Sequence, residues 1–419
     1  MQAVILAAGE SSRFWPFNSN HKSLFRIMGK PIILYTIEGL INAGINKITI
    51  VQGPSKDIKN TLNNYPKYNK YIKYVIQNDP KGMGDALVAA KELLTEQFLL
   101  ILAERVDSEE IVKKLNFQIK TSKDAAILVG ATTDETSLFG ILKLENNKVI
   151  DIVEKPKKGK EPSNVKALGI YALTPAFLDI YKETKRHQYD FEEALSIYIK
   201  KYEIKLMLWD QVSPSLKYPW HLFDIRNYLF GKYIKESTGK NAKISASAEI
   251  IGKVSIGDNV SIMEKAVIKG PCYIGDNVFV GNNAILRGRV NIESNCVIGA
   301  NMEVKNSLIL QNSTTHSGFI GDSIVGKDCR IAAKFCTGNV RLDRGTISTE
   351  VKREKIPTRH RYLGAFIGDG VDIGIKVSAM PGVIIGGNVT VGPSTVVMKN
   401  IPDNSKYYTK FHEVVIKKK

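Results

Sequence analysis

The chain has 419 residues, too many for one ordinary hydrophobic core and suited to two domains. Hydrophobic residues make up 43% and charged residues 24%, a globular balance, and no apolar run approaches the roughly 20 residues that span a bilayer, which argues against a membrane protein. The formal net charge of +17 is dispersed apart from segments such as 155–160 and 417–419, and no aromatic-interleaved basic ladder occurs, so the charge reads as solvation plus a bias toward anionic substrates rather than nucleic-acid binding.

Met1–Ala8 is continuously apolar, as expected of a central strand covered on both faces. It is too short for a signal-peptide core and lacks a basic lead-in, so a cytoplasmic location is expected. Pro31–Ala43 has helical spacing of apolar residues, and 47–52 reads as the next strand. Lys73–Gln77 is predicted as a strand, Asp85–Thr95 as a helix and Phe98–Ala103 as a strand. Strand and helix in alternation imply a Rossmann-like α/β domain with a parallel sheet. Ligands of such sheets bind at the carboxyl ends of the strands, where Gly9–Arg13 follows the first strand. Tyr218–Lys240 reads as a connecting helix.

From Ile244 onward every sixth residue is aliphatic: Ile244, Ile250, Ile256, Ile262, Ile268, Ile274, Val280, Leu286, Ile292, Ile298, Val304 and Leu310. The period resumes at Ile367, Ile373, Ala379, Ile385, Val391 and Val397, and Gly-Asp-Asn turns follow many of these positions. A period of six marks a parallel β-helix in which three hexads make one coil. The expected limits are a first domain at 1–230, a connecting segment at 231–243, a β-helix at 244–401 with an insertion at about 314–362, and a basic tail at 402–419. Cys272, Cys296, Cys329 and Cys336 form no CxxC pair and lie near no His cluster, so they read as small buried apolar residues rather than zinc ligands or disulfides.

Leu6-Ala7-Ala8-Gly9-Glu10-Ser11-Ser12-Arg13, then Pro16, Lys22 and Gly29-Lys30-Pro31, resembles the opening of the sugar-1-phosphate nucleotidyltransferases. A glycine-containing loop such as that at Gly9 lets backbone N–H groups approach phosphates. Arg13 and Lys22 would neutralise a triphosphate and stabilise charge during transfer. Gln77, with Gly82 and Met83-Gly84-Asp85-Ala86 beyond it, resembles the base-recognition segment, where an amide pairs with a base edge. Phe139-Gly140 and Glu154-Lys155-Pro156 resemble the sugar segments. The resemblance implies that Gly140 and Glu154 bind sugar hydroxyls and that Lys155 binds the sugar phosphate. Gly169-Ile170-Tyr171 resembles the next sugar-site strand. Three departures stand out: Ser11 replaces a glycine, Glu104 stands where the family has its first magnesium-binding Asp, and Ser215 stands where it has the second. Asp107 and Asp210 lie near those positions.

The layout resembles, over nearly the whole chain, the bifunctional nucleotidyltransferase–acetyltransferases of the GlmU type, archaeal relatives especially. The resemblance is carried by 316–323 (His-Ser-Gly-Phe-Ile-Gly-Asp-Ser), 337–343 (Thr-Gly-Asn-Val-Arg-Leu-Asp) and 363–368 (Leu-Gly-Ala-Phe-Ile-Gly). It implies a left-handed β-helix, a His316 general base, Asn339 in the same site, acetyl-CoA as cosubstrate and a trimer. Phe319 replaces a tyrosine of the family, and Gly345 and Ser348 replace lysines. The expected activity is nucleotidyl transfer from an NTP to a hexose or amino-hexose 1-phosphate, with Mg²⁺ as cofactor, joined by N-acetylation of an amino sugar phosphate. The changed metal positions leave open a regulatory nucleotide-sugar-binding paralogue, and His316 leaves open acyl transfer alone.

Overall fold

The structure is a computed structural model that describes residues 1–79, 81–121, 126–146, 148–187 and 189–417, so the last two lysines of the basic tail lie outside the described residues. The chain forms two compact units. One comprises Met1–Ser11, Asn20–Phe25 and Pro31–Ser215, and the other Ser12–Ser19, Arg26–Lys30 and Leu216–Lys419.

The first unit is built on a sheet of nine strands: β1 (Gln2–Ala7), β2 (Ile48–Gln52), β3 (Ile72–Ile76), β4 (Phe98–Leu102), β5 (Ala126–Thr132), β6 (Gly140–Glu145), β7 (Lys148–Glu154), β8 (Val165–Leu173) and β9 (Ile204–Leu208). Their order is β3-β2-β1-β4-β8-β5-β9-β7-β6. The expected parallel pairing holds across β3, β2, β1 and β4. It ends at β8, which enters antiparallel to both β4 and β5, so the whole sheet is mixed.

Strand β1 explains its own unbroken apolar sequence. Ala3, Ile5 and Ala7 enter one core with Ile33, Leu34 and Ile37 of α1 (Ile32–Asn42) and Ile111 and Leu115 of α4 (Ser108–Thr121). Val4 and Leu6 enter the opposite core with Leu87 of α3 (Met83–Ala89), Phe177 of α5 (Ala176–Glu183) and Leu195 of α6 (Asp190–Lys201). A strand buried on both faces has no place for alternating polar residues. Helix α1 begins directly after extended Pro31 and ends before Gly44, whose φ of +88° suits a helix terminus. Helix α2 (Asp57–Leu62) adds Ile58 and Leu62 to the α1 side.

The second unit contains α7 (Leu222–Tyr233) and a parallel β-helix of three sheets with eight, nine and eight short strands. One column of buried aliphatics runs through it, from Val254 and Ile256 to Val397 and Ile401. Ile244 and Ile250 belong to the first coil and are each 38% exposed, because no coil precedes them. The repeating asparagines adopt positive φ at one corner, and their side chains stack into a ladder: Asn241 donates to Asn259, Asn259 to Asn277, Asn277 to Asn295, Asn295 to Asn312, and Asn312 to Asp328.

The predicted limits change in three ways. Coils begin at Ser237–Thr238 and end with Lys406–Tyr407, and α7 groups with the β-helix unit. Ile274 pairs with Ile292 at a spacing of 18, but Ile292 pairs with Ile309 and Ile309 with Val325, spacings of 17 and 16. Corners one or two residues shorter therefore put Ile309, not Leu310, in the core column and erase the sixfold period without breaking the coil. Strands from Thr314 to Thr337 remain in the helix, and the extra chain lies between Thr337 and Phe366, where Ser348–Val351 and Glu354–Pro357 form a hairpin. Cys272, Cys296 and Cys329 are buried as expected, but Cys336 is exposed.

Candidate active sites

The carboxyl ends of β1 and β4 open into a cavity of about 240 Å³ lined by Gly9, Glu10, His21, Lys22, Gln77, Gly82 and Glu104, among others. Nothing lies within 4 Å of the place a Cβ at Gly9 would take, so the space over this backbone is open to a ligand. Ser11, the departure from the glycine-rich opening, accepts a 2.9 Å hydrogen bond from the Lys22 backbone and ties the two loops together. Lys22 and Glu104 form an ion pair, with side chains 24% and 6% exposed. Thr36 Oγ1 donates to the Ala103 carbonyl at 2.9 Å and fixes the turn that carries Glu104.

Gln77 is buried and donates through Nε2 to the Gly82 carbonyl at 3.3 Å. Gly82 has φ +128° and ψ −179°, a region that is essentially glycine-only. His21 has no counterpart among the expected site residues. Its Nδ1 lies 2.8 Å from Ser23 Oγ and its backbone N–H donates to Asp57 at 2.8 Å. Burial lowers its pKa to about 4 against the opposing pull of Glu104 and Asp57, so the imidazole is neutral at pH 7.

A second cluster sits on the β6–β7 hairpin. Gly140 and Glu154 are register partners, and a Cβ at Gly140 would lie 2.9 Å from Glu154 Oε2. Lys155 takes φ +46°, donates its backbone N–H to Phe139 at 3.0 Å, and places Nζ 3.5 Å from Glu154 and 5.2 Å from the Tyr189 ring centre. Glu192 of α6 joins them. Burial raises its pKa, and Glu154 and Asp190 add to the rise. In the sequence Glu192 reads as one more acid in the first turn of a helix, so nothing there marks it out.

Other expected groups lie elsewhere. Asp107 is fully buried in an ion pair with Arg105 and accepts from Ser213 at 2.6 Å. Asp210 is largely exposed, 4.0 Å from Lys114, and Ser215 is exposed. Arg13 is exposed on the turn Ser12–Phe14 and groups with the second unit.

In the β-helix an open groove of about 590 Å³ is lined by His316, Thr314, Arg330, Asp372 and Pro393, among others. Asn339 lies instead against Asp322, donating through Nδ2 at 2.6 Å. Phe319 approaches the same place, since a Cβ at Gly321 would lie 2.5 Å from the Phe319 ring and 3.0 Å from Asn339 Nδ2.

A family described as Nucleotidyl transferase matches residues 2–212, and one described as Bacterial transferase hexapeptide (six repeats) matches residues 271–306. The chain is 37% identical over 425 residues to "Bifunctional protein GlmU" of Methanococcus maripaludis strain C7, covering 100% of both chains. It is 32% identical over 409 residues to the bifunctional sugar-1-phosphate nucleotidylyltransferase/acetyltransferase of Sulfurisphaera tokodaii, covering 96% of this chain and 98% of that one. A UDP-glucose pyrophosphorylase solved with UDP-glucose is 25% identical, with a TM-score of 0.49 over 55% of this chain and 99% of its own.

Proposed function

We infer the activity from one premise: the chain belongs to the nucleotidyl transferase family, in the branch of its bifunctional sugar-1-phosphate nucleotidylyltransferase/acetyltransferases. It is an enzyme that joins a nucleoside triphosphate to a hexose or amino-hexose 1-phosphate. The sugar phosphate oxygen bonds to the α-phosphorus while the bond to the β-phosphate breaks, giving an NDP-sugar and pyrophosphate. The observation that carries this reading is the convergence of Gly9, Lys22, Gln77 and Gly82 on one cavity at the strand ends.

On this reading the backbone at Gly9 lies along the phosphates and the Lys22 ammonium offsets their charge. Gln77, its Nε2 held by Gly82, presents its carboxamide to the base. Gly140 and Glu154 accept sugar hydroxyls and Lys155 meets the sugar phosphate. Almost no covalent chemistry is required of the protein, so positioning dominates.

A magnesium ion on a triphosphate needs only one or two protein carboxylates; Glu10 and Glu104 line this cavity, Glu104 bonded to Lys22, while Asp107 is consumed by Arg105 and Ser213. Magnesium enters on this reading as part of the substrate, bound to the triphosphate.

The β-helix transfers acetyl from acetyl-CoA to the amine of an amino sugar phosphate. His316 removes the amine proton, and Asn339, which lies apart from the His316 groove within one chain, contacts the substrate where coils of neighbouring subunits meet in a cytoplasmic trimer. We assign nucleotidyl transfer to the first unit and acetyl transfer to the β-helix. Magnesium-dependent pyrophosphate release from a panel of NTPs and sugar 1-phosphates tests the first activity, and CoA release with glucosamine 1-phosphate tests the second. No turnover with any pair, from folded protein, refutes the corresponding half.

A further inference from the structure

The side chain of Asp322 is 3% exposed, yet three donors converge on it. Lys305 Nζ reaches Oδ2 at 2.8 Å, Asn306 Nδ2 reaches Oδ1 at 2.7 Å, and Asn339 Nδ2 reaches Oδ2 at 2.6 Å. Arg226 braces the same group from α7 by donating to Asn306 Oδ1 at 2.7 Å, so the Asn306 amide is itself oriented. Only an ionised carboxylate, which accepts at both oxygens and donates at neither, satisfies all three donors.

The consequence for Asn339 is directional. A carboxylate neighbour dictates which end of the carboxamide faces it: the NH₂ must turn toward Asp322, so the carbonyl oxygen turns away. Gly321 makes the approach sterically feasible, because a Cβ there would crowd both Asn339 Nδ2 and the Phe319 ring. Thr337 Oγ1 accepts from the Gly321 N–H at 2.8 Å and holds the coil below in register.

We propose that Asp322 is a positioning residue for acetyl transfer, fixing the Asn339 carboxamide with its oxygen presented as an acceptor to the N–H of the incoming amine; the proposal rests on the acetyltransferase reading above. Asp322 touches no reacting atom on this account and acts through Asn339. An alanine at position 322 removes the acceptor that fixes the Asn339 NH₂, leaving the carboxamide free to turn a donor toward an amine that needs an acceptor.

The test uses the full-length protein with glucosamine 1-phosphate and acetyl-CoA. In Asp322→Ala, kcat for CoA release falls on the order of 100-fold while the KM for acetyl-CoA stays unchanged. Asn339→Ala loses a similar factor, and the double variant loses no more than either alone, because both act at one contact. Lys305→Met, which removes another donor but leaves the Asp322–Asn339 bond, keeps kcat within about threefold. Should Asp322→Ala fail to fold, Asp322→Glu keeps the charge but displaces it by one methylene, and kcat still falls. Wild-type kcat in folded Asp322→Ala or Asp322→Glu overturns the proposal and leaves acetyl transfer standing. So do losses that multiply in the double variant, or a Lys305→Met loss equal to that of Asp322→Ala. No CoA release from the wild type with this substrate overturns the acetyltransferase reading and the proposal with it.

Discussion

Lys22 and Glu104 offer a test that separates a phosphate-binding lysine from a metal-binding carboxylate. Lys22→Met keeps the aliphatic stem and removes the charge beside a carboxylate that is 6% exposed. Breaking a fully buried pair costs about 3–5 kcal/mol and breaking a surface pair about 0–1 kcal/mol. Lys22, at 24% exposure, lies between these limits, so about 2 kcal/mol is expected. In a domain of this size that is roughly 4–8 °C in Tm. Glu104→Gln leaves an ammonium that water still reaches and costs about 1 kcal/mol, and the double variant recovers much of the Lys22→Met loss. Nucleotide binding carries the opposite sign. Glu104→Gln releases Lys22 for the triphosphate and should tighten NTP binding about tenfold, or 1.4 kcal/mol, in calorimetry with EDTA present, whereas Lys22→Met weakens it. Were Glu104 a cation ligand, Glu104→Gln would instead weaken binding in Mg²⁺ and change nothing in EDTA, and that outcome refutes the reasoning.

Gly82→Ala places a Cβ on a backbone with φ +128° and should cost about 1–3 kcal/mol of strain, read as a rise in KM for the NTP as the Gln77 contact loosens. His21 has a folded pKa of about 4 against 6.5 for the free side chain, so between those values the unfolded chain binds more protons. Its contribution is intact above pH 6.5 and lost as pH falls toward 4; the wild-type urea midpoint should therefore drop relative to that of His21→Gln across this window and run parallel to it above pH 6.5. Ile298→Ala empties a fully buried position in the coil column and should destabilise by about 2–5 kcal/mol in denaturant unfolding followed by circular dichroism.

Residues whose role is local were legible in the sequence. β1 declares itself because both its faces are buried, and the hexads declare themselves because each aliphatic meets its equivalent one coil away. Legibility fails where spacing changes without a change in structure: trimming a corner between Ile292 and Val325 hides coils that are fully formed. It fails also where a strand arrives from far along the chain, as the antiparallel β8 does beside β4. In the first site, Gly9, Lys22, Gln77 and Gly82 follow recognisable strand ends. His21 and Glu192 gain their character from burial and from neighbours distant in sequence, and Asp322 was visible only as one letter of a motif, since its partners lie on other coils.

The asparagine ladder has a sense of travel. Every carboxamide from Asn241 to Asn312 gives a hydrogen to the next residue, and every one from Asn259 onward takes one from the residue before, so the chain of bonds cannot be reversed at one rung alone. Asp328 ends it with a group that takes and never gives. A carboxylate elsewhere in the column, as slow hydrolysis of the Asn277 amide would create, still receives from Asn259 but offers nothing to Asn295. Chemical ageing of a single amide would thus cut the column into two shorter ones at a known position, and the cut would appear first as faster amide exchange in the two coils flanking it.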